Sequence, residues 1–165
     1  MKRFHRWNPG RALVILLLSL AWLATSVGFA SAASWNGIQP LKSRREDVLK
    51  TLGKPVAEDS NGALRFVVAG GTVSVVFVDQ RFVNNKKLRP NLEGTVLEIV
   101  LQHDHSNETP QSMNLLKNRA FAHDDMQNAS IFRNLKDGIV YTFLDGKLHT
   151  TRLTFSDSEL LRARR

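Results

Sequence analysis

The stretch that decides the fold is Ile131-Phe-Arg-Asn-Leu-Lys-Asp-Gly-Ile-Val-Tyr-Thr-Phe-Leu-Asp-Gly-Lys-Leu-His-Thr-Thr-Arg-Leu-Thr-Phe155. Two Asp-Gly pairs, Asp137-Gly138 and Asp145-Gly146, divide it into three apolar-polar runs: Ile131 to Leu135, Ile139 to Leu144 and Lys147 to Phe155. Asp-Gly tolerates the positive φ angles of tight hairpins, so the three runs are expected to be antiparallel neighbours. The last run has a phase fault. Under strict alternation Leu148 falls on one face and Leu153 and Phe155 on the other, and a bulge near Thr150 or Thr151 would reconcile them.

Working towards the N-terminus, the same period of two recurs in Thr95 to His103, with Leu97, Ile99 and Leu101 inward and Glu98 and Gln102 outward. It recurs again in Leu64 to Val68 and Thr72 to Val78, a hairpin around Ala69-Gly70-Gly71 with Val73, Val75 and Phe77 on one face. Upstream of these strands, Ser43-Arg44-Arg45-Glu46 has the form of a capping box. The helix it starts carries Val48, Leu49 and Leu52 on one stripe and stops at Gly53 and Pro55. Trp35, Ile38 and Leu41 are expected to pack on that stripe. Ser106 to Asn128 is polar and without period, and reads as loop. Ser156 and Glu159 offer a second capping box, with too little chain beyond it for a helix that must stand unaided. The sum is an α+β domain: one short N-terminal helix packed on an antiparallel meander of about six strands.

The first 32 residues read differently. Lys2, Arg3, Arg6 and Arg11 precede an apolar run from Ala12 to Phe29, followed by Ala30-Ser31-Ala32. A basic start, an apolar centre and small residues at a cleavage point make a secretory signal cut after Ala32. The competing reading is an uncleaved anchor in the inner membrane, since the run approaches the roughly 20 residues that cross a bilayer. Residues 1–32 are therefore read as the signal, 33–161 as a single domain, and 162–165 as a basic tail.

The formal charge of +8 changes meaning once it is divided. Four of the 23 basic residues lie before Ala33 and all 15 acidic ones after it, so the exported part carries 19 against 15, a balance of +4. Arg162, Arg164 and Arg165 account for three of these four, which leaves a nearly neutral body and removes the basic face that nucleic-acid binding needs. The chain has no cysteine, so disulfides, thiolate chemistry and Cys-based zinc sites are excluded. A eukaryotic extracellular domain of this size would often be stapled, and the expected place is the periplasm or exterior of a bacterium.

Trp35-Asn36-Gly37-Ile38-Gln39-Pro40-Leu41-Lys42-Ser43-Arg44-Arg45-Glu46-Asp47-Val48, closed by Leu52-Gly53-Lys54-Pro55, resembles the opening of a group of uncharacterised small exported bacterial proteins. The match covers roughly the first twenty residues after Ala32 and is looser at Gly94-Thr95-Val96-Leu97 and Asp145-Gly146-Lys147. More distantly, a helix ending in Leu-Gly-x-Pro before strands is similar to the outer-membrane assembly lipoprotein of the SmpA/OmlA type and to β-lactamase-inhibitor proteins. The resemblance implies binding to other proteins rather than catalysis. The shared positions imply structural roles: Trp35 and Ile38 as packing, Ser43 as cap, Gly53 and Pro55 as stop. This chain departs from those relatives in lacking the lipid-modified cysteine, the disulfides and a second tandem unit.

Two groups of side chains carry candidate chemistry. His103-Asp104-His105 puts two imidazoles on one side of a strand, and His123-Asp124-Asp125 adds further ligand types, so His103 and His105 are candidate metal ligands. The loop from Arg81 to Pro90 holds Phe82, Lys86, Lys87 and Arg89; with the C-terminal arginines it would offer a basic binding surface to another envelope protein, a cell-wall polymer or an anionic lipid surface. No serine sits in a Gly-x-Ser-x-Gly elbow and no cofactor box occurs. The expected function is thus a non-catalytic binding or accessory module of the bacterial cell envelope, with a small envelope enzyme or a metal-binding protein using His103 and His105 as the alternative. Contact with a membrane is expected through the signal, before it is removed. Protein recovered from the exported fraction should begin at Ala33 by N-terminal sequencing; a chain that keeps Met1 and stays in the membrane fraction would establish the anchor instead.

Overall fold

A computed structural model describes residues 33–165 of the chain; residues 1–32, read above as an export signal, lie outside the described residues. The described residues contain three α-helices, α1 (Arg45–Leu52), α2 (Gln80–Lys86) and α3 (Asp157–Ala163), and eight strands. The strands are β1 (Ala57–Glu58), β2 (Leu64–Val68), β3 (Gly71–Phe77), β4 (Val96–His103), β5 (Ala122–Asp125), β6 (Ala129–Asn134), β7 (Ile139–Leu144) and β8 (Lys147–Thr154). All eight join one antiparallel sheet in the order β1-β2-β3-β4-β8-β7-β6-β5. The α+β class stands, with two corrections to its detail. Helices lie at the start, middle and end of the domain rather than once at its N-terminus. The strands number eight rather than six, and form two four-stranded meanders joined along β4 and β8.

The first helix begins one residue later than the Ser43 cap predicts. Arg44 bridges to Thr95, while Leu41 donates to the Val96 carbonyl and the Ser43 carbonyl accepts from Val96, both at 2.7 Å. This short strand-like pairing holds Arg44 extended, so it becomes the cap and its N–H is taken by the Asp47 carboxylate at 2.8 Å. Ser43 Oγ instead accepts the Gln39 N–H at 3.0 Å. Gly53 ends the helix as expected, with φ of 78° and its N–H on the Leu49 carbonyl.

Side chains of the inner sheet face line up across strands. Leu64, Val75, Ile99 and Leu153 form one row in register, all buried. Val48 of α1 closes over this row with Ile38, flanked by Leu49, Leu52 and Trp35. Leu41 departs from the expectation and packs elsewhere, with Val78, Val83, Leu88, Leu92 and Ala163. That second cluster caps the end of the sheet where β3 leaves, β4 begins and β8 finishes. A register shift at Val76 and Phe77 turns Val96 into the first cluster and Leu97 towards the second. The opposite row of Arg65, Ser74, Val100, Arg152, Val140 and Arg133 contains no buried residue, as expected for an antiparallel sheet with one solvated face.

The polar segment after β4 travels from the middle of the sheet to its far edge, and residues 104–121 cover the inner face of the second meander on the way. Leu115 is buried there against Phe132 of β6, Phe143 of β7 and Leu148 of β8. Phe132 and Phe143 meet edge to face at 5.6 Å.

The hairpin between β2 and β3 turns on Ala69 and Gly70, and Gly71 already pairs with Val68 on one side and His103 on the other. At φ of 155°, a Cβ on Gly71 would fall inside contact distance of the Gln102 carbonyl oxygen. That is backbone rather than a side chain that could swing aside. Gly71→Ala is therefore expected to cost on the order of 2–3 kcal/mol, read as a lowered urea midpoint, whereas Gly70→Asn, in open space at φ of 84°, should cost much less.

Candidate functional site

The expected metal pair is not a pair on one strand face. β4 ends at His103, and Asp104 and His105 follow in a bend. His103 is half-buried with Nε2 3.0 Å from Thr151 Oγ1, while His105 is exposed. His123 stands on β5, four strands away, stacked on Phe132 at 4.2 Å with Nε2 2.8 Å from Asp125. The sheet order thus keeps the two histidine clusters apart. Among the described residues, no group of three or more His, Asp or Glu side chains is arranged to hold a metal ion.

The structure supplies a different neighbour for His103. Thr142 pairs with Thr150 and Phe143 with Leu148, so His149 is an extra residue of β8. This is the bulge that the phase fault demanded, one residue before the expected place. It turns Leu148 into the inner cluster and, one step beyond the last β4–β8 pair of Gln102 with Thr150, brings His149 beside His103. A cleft of about 390 Å³ opens here between residues 103–107 and the β7–β8 hairpin, lined by His103, Asp104, His105, Ser106, Asn107, Lys147 and His149 among others. His103 also borders a second cleft of about 390 Å³ on its other side, with Trp35, Asn36, Gly71 and Gln102. Backbone bonds fix the walls: Asp104 donates to the Gly70 carbonyl at 3.1 Å and Leu148 to the Glu108 carbonyl at 2.9 Å.

The segment read as a binding loop is largely a helix. Asp79 caps α2 by accepting the Phe82 N–H at 2.7 Å, and Val83 is buried beneath it. Phe82 is half-buried against Phe155, ring centroids 5.9 Å apart. Lys86 lies exposed in the last turn, and Lys87 ends the helix in the left-handed region with φ of 54°. Leu88 is buried and bridges to Arg164; Arg89 donates to the Ala163 carbonyl at 3.0 Å, and Arg165 donates to the Lys87 carbonyl at 2.9 Å. The residues set apart as a basic tail are thereby tied to this helix. Arg162 belongs to α3, whose capping box is complete: Ser156 Oγ accepts the Glu159 N–H and the Glu159 carboxylate accepts the Ser156 N–H. Lys86, Lys87, Arg89, Arg162, Arg164 and Arg165 are all exposed at this one end of the sheet.

Comparison with known protein families, curated proteins and solved structures gave no match. Among the described residues, no helix is long and apolar enough to cross a membrane.

Burial holds the His103 imidazole below its ordinary value of 6.5, and the adjacent His149 pushes it the same way. Folding therefore favours the neutral ring, and the unfolded chain binds the proton more readily. By linkage, this contribution to stability is complete above about pH 6.5 and is lost as the pH falls through the depressed folded value. The urea midpoint should drop between pH 7 and pH 5, and His103→Gln, which keeps a partner for Thr151, should show a shallower drop. Identical slopes in the two proteins would remove His103 from this account.

Proposed function

We propose that this chain is an exported, non-catalytic binding module of the bacterial cell envelope that attaches to phosphate-bearing anionic surfaces, lipid headgroups or cell-wall polymer, through its basic end. The observation that carries the reading is the joining of residues 87–89 to residues 163–165 by backbone hydrogen bonds and a β-bridge. Six cationic side chains that sequence places in two distant segments thereby share one surface. Several of them stand on backbone that is hydrogen-bonded or helical, so less ordering entropy is lost on attachment than for a free tail. Each Lys or Arg near an anionic membrane surface contributes about 1 kcal/mol, and the effect decays within a Debye length of about 10 Å at 0.1 M salt. The N-terminal signal reading gives the compartment in which such surfaces are met. The resemblance of Trp35–Pro55 to small exported bacterial proteins, and more distantly to proteins that bind other proteins, supports the same class.

The test is co-sedimentation with vesicles containing phosphatidylglycerol, with neutral phosphatidylcholine vesicles and with isolated cell wall, at low and moderate salt. The triple variant Lys86→Ala, Lys87→Asn, Arg89→Ala keeps a residue that tolerates left-handed backbone at position 87. It is expected to lose binding at least about tenfold on the anionic surface, in line with the charge removed. Equal retention of variant and parent would overturn the reading.

A further inference from the structure

The His103 cleft lies at the end of the sheet opposite the basic surface, so its chemistry is independent of that attachment. Two walls face each other across it. One is the bend after β4, which brings His103, His105, the Ser106 hydroxyl and the Asn107 amide; the other is the β7–β8 hairpin, which brings the Lys147 ammonium and the bulged His149. Ser106 Oγ accepts the Glu108 N–H at 3.1 Å, which leaves its own O–H free to donate. Of the acidic residues, Asp104 lines the cleft, whereas the Glu108 carboxylate is engaged by the Ser112 hydroxyl at 2.6 Å. Donor-capable groups therefore outnumber acceptor-only ones here, with the positive charge of Lys147 set beside the single carboxylate of Asp104.

We propose that this cleft binds a phosphate group, free or carried as an ester on a larger envelope molecule. Donors on two opposed walls outnumber the two oxygens of a carboxylate and suit an anion that presents three or four. Charge-assisted bonds to such oxygens are the stronger kind. The ammonium in the wall opposes a metal cation, and among the described residues no set of three ligands gathers to offset it. The bulge at His149 is what completes the donor set; with regular pairing in β8 the His149 side chain would follow the alternation and Leu148 would leave the core.

Lys147 is the residue on which the test turns, because it is exposed on a hairpin and its truncation leaves the core intact. The purified protein is titrated at neutral pH with sodium phosphate, glycerol phosphate or sodium acetate, each against sodium chloride of equal ionic strength. Binding is followed by the imidazole proton resonances in NMR spectra. Saturable shifts with phosphate and glycerol phosphate are expected, weakened about tenfold or more by Lys147→Ala, retained in Lys147→Arg, and unchanged by the Lys86, Lys87, Arg89 triple variant. Shifts reproduced by chloride, or insensitive to Lys147→Ala, would overturn the proposal. So would tighter binding of acetate than of phosphate. A protein that sediments with phosphatidylglycerol vesicles yet ignores soluble phosphate would confine anion binding to the other end of the sheet and would equally overturn it. Loss of vesicle binding in the triple variant bears on the attachment surface alone, so the two readings fail separately.

Discussion

The antiparallel seam between β4 and β8 is the contact on which the rest depends. It joins Glu98 through Gln102 to Thr154 through Thr150 and brings Ile99 against Leu153. No hairpin makes this pairing; the chain must first run to the far edge and wind back through β5, β6 and β7. Closing so long a loop has an entropic cost that grows only slowly with its length, and the seam repays it in continuity. The buried row Leu64, Val75, Ile99, Leu153 passes across it without a break, so α1 on one side and residues 104–121 on the other cover a single inner face. Both clefts beside His103 border the same seam, at its end.

Much of this arrangement was legible from alternation and turn chemistry. The six strands that carry apolar residues on one face are present at nearly the expected bounds, and the two that were not anticipated are the two edges. β1 is two exposed residues, and β5 is Ala-His-Asp-Asp, exposed throughout. An edge that buries nothing leaves no periodic trace, since periodicity records burial. The middle helix escaped for a related reason: Asn84 and Asn85 lower helix propensity, while the Asp79 cap and buried Val83, aided by Leu88 beyond the helix, hold it in place. The C-terminal helix is too short to stand unaided, and it does not stand unaided, because Ala163 is buried in the cluster that includes Leu88.

The site was only half legible. His103 and His105 were visible as a pair, but their partner is His149, and it arrives through a bulge. The signal was present as the mismatch in phase between Leu148 and Leu153, which required one residue of Lys147–Phe155 to stand out of line. That residue is His149, which the bulge brings beside His103. The basic segments were visible too, yet sequence separates Lys87 from Arg165, and the bridge of Leu88 with Arg164 that unites them is a tertiary fact. The residues of the Trp35–Pro55 stretch make local contacts that order the start of the domain. Trp35 and Ile38 bridge around Asn36-Gly37, Ser43 anchors Gln39, and Gly53 closes α1.

The two edges have a consequence for behaviour at high concentration. An open sheet invites another copy to dock its strand and start a fibril. Here the β1 side offers a stub of two residues. The β5 side offers two adjacent carboxylates, Asp124 held by Arg133 and Asp125 by His123, and a second β5 laid beside the first would bring like charges together. A short template at one border and a carboxylate-bearing strand at the other are features that disfavour edge-to-edge docking.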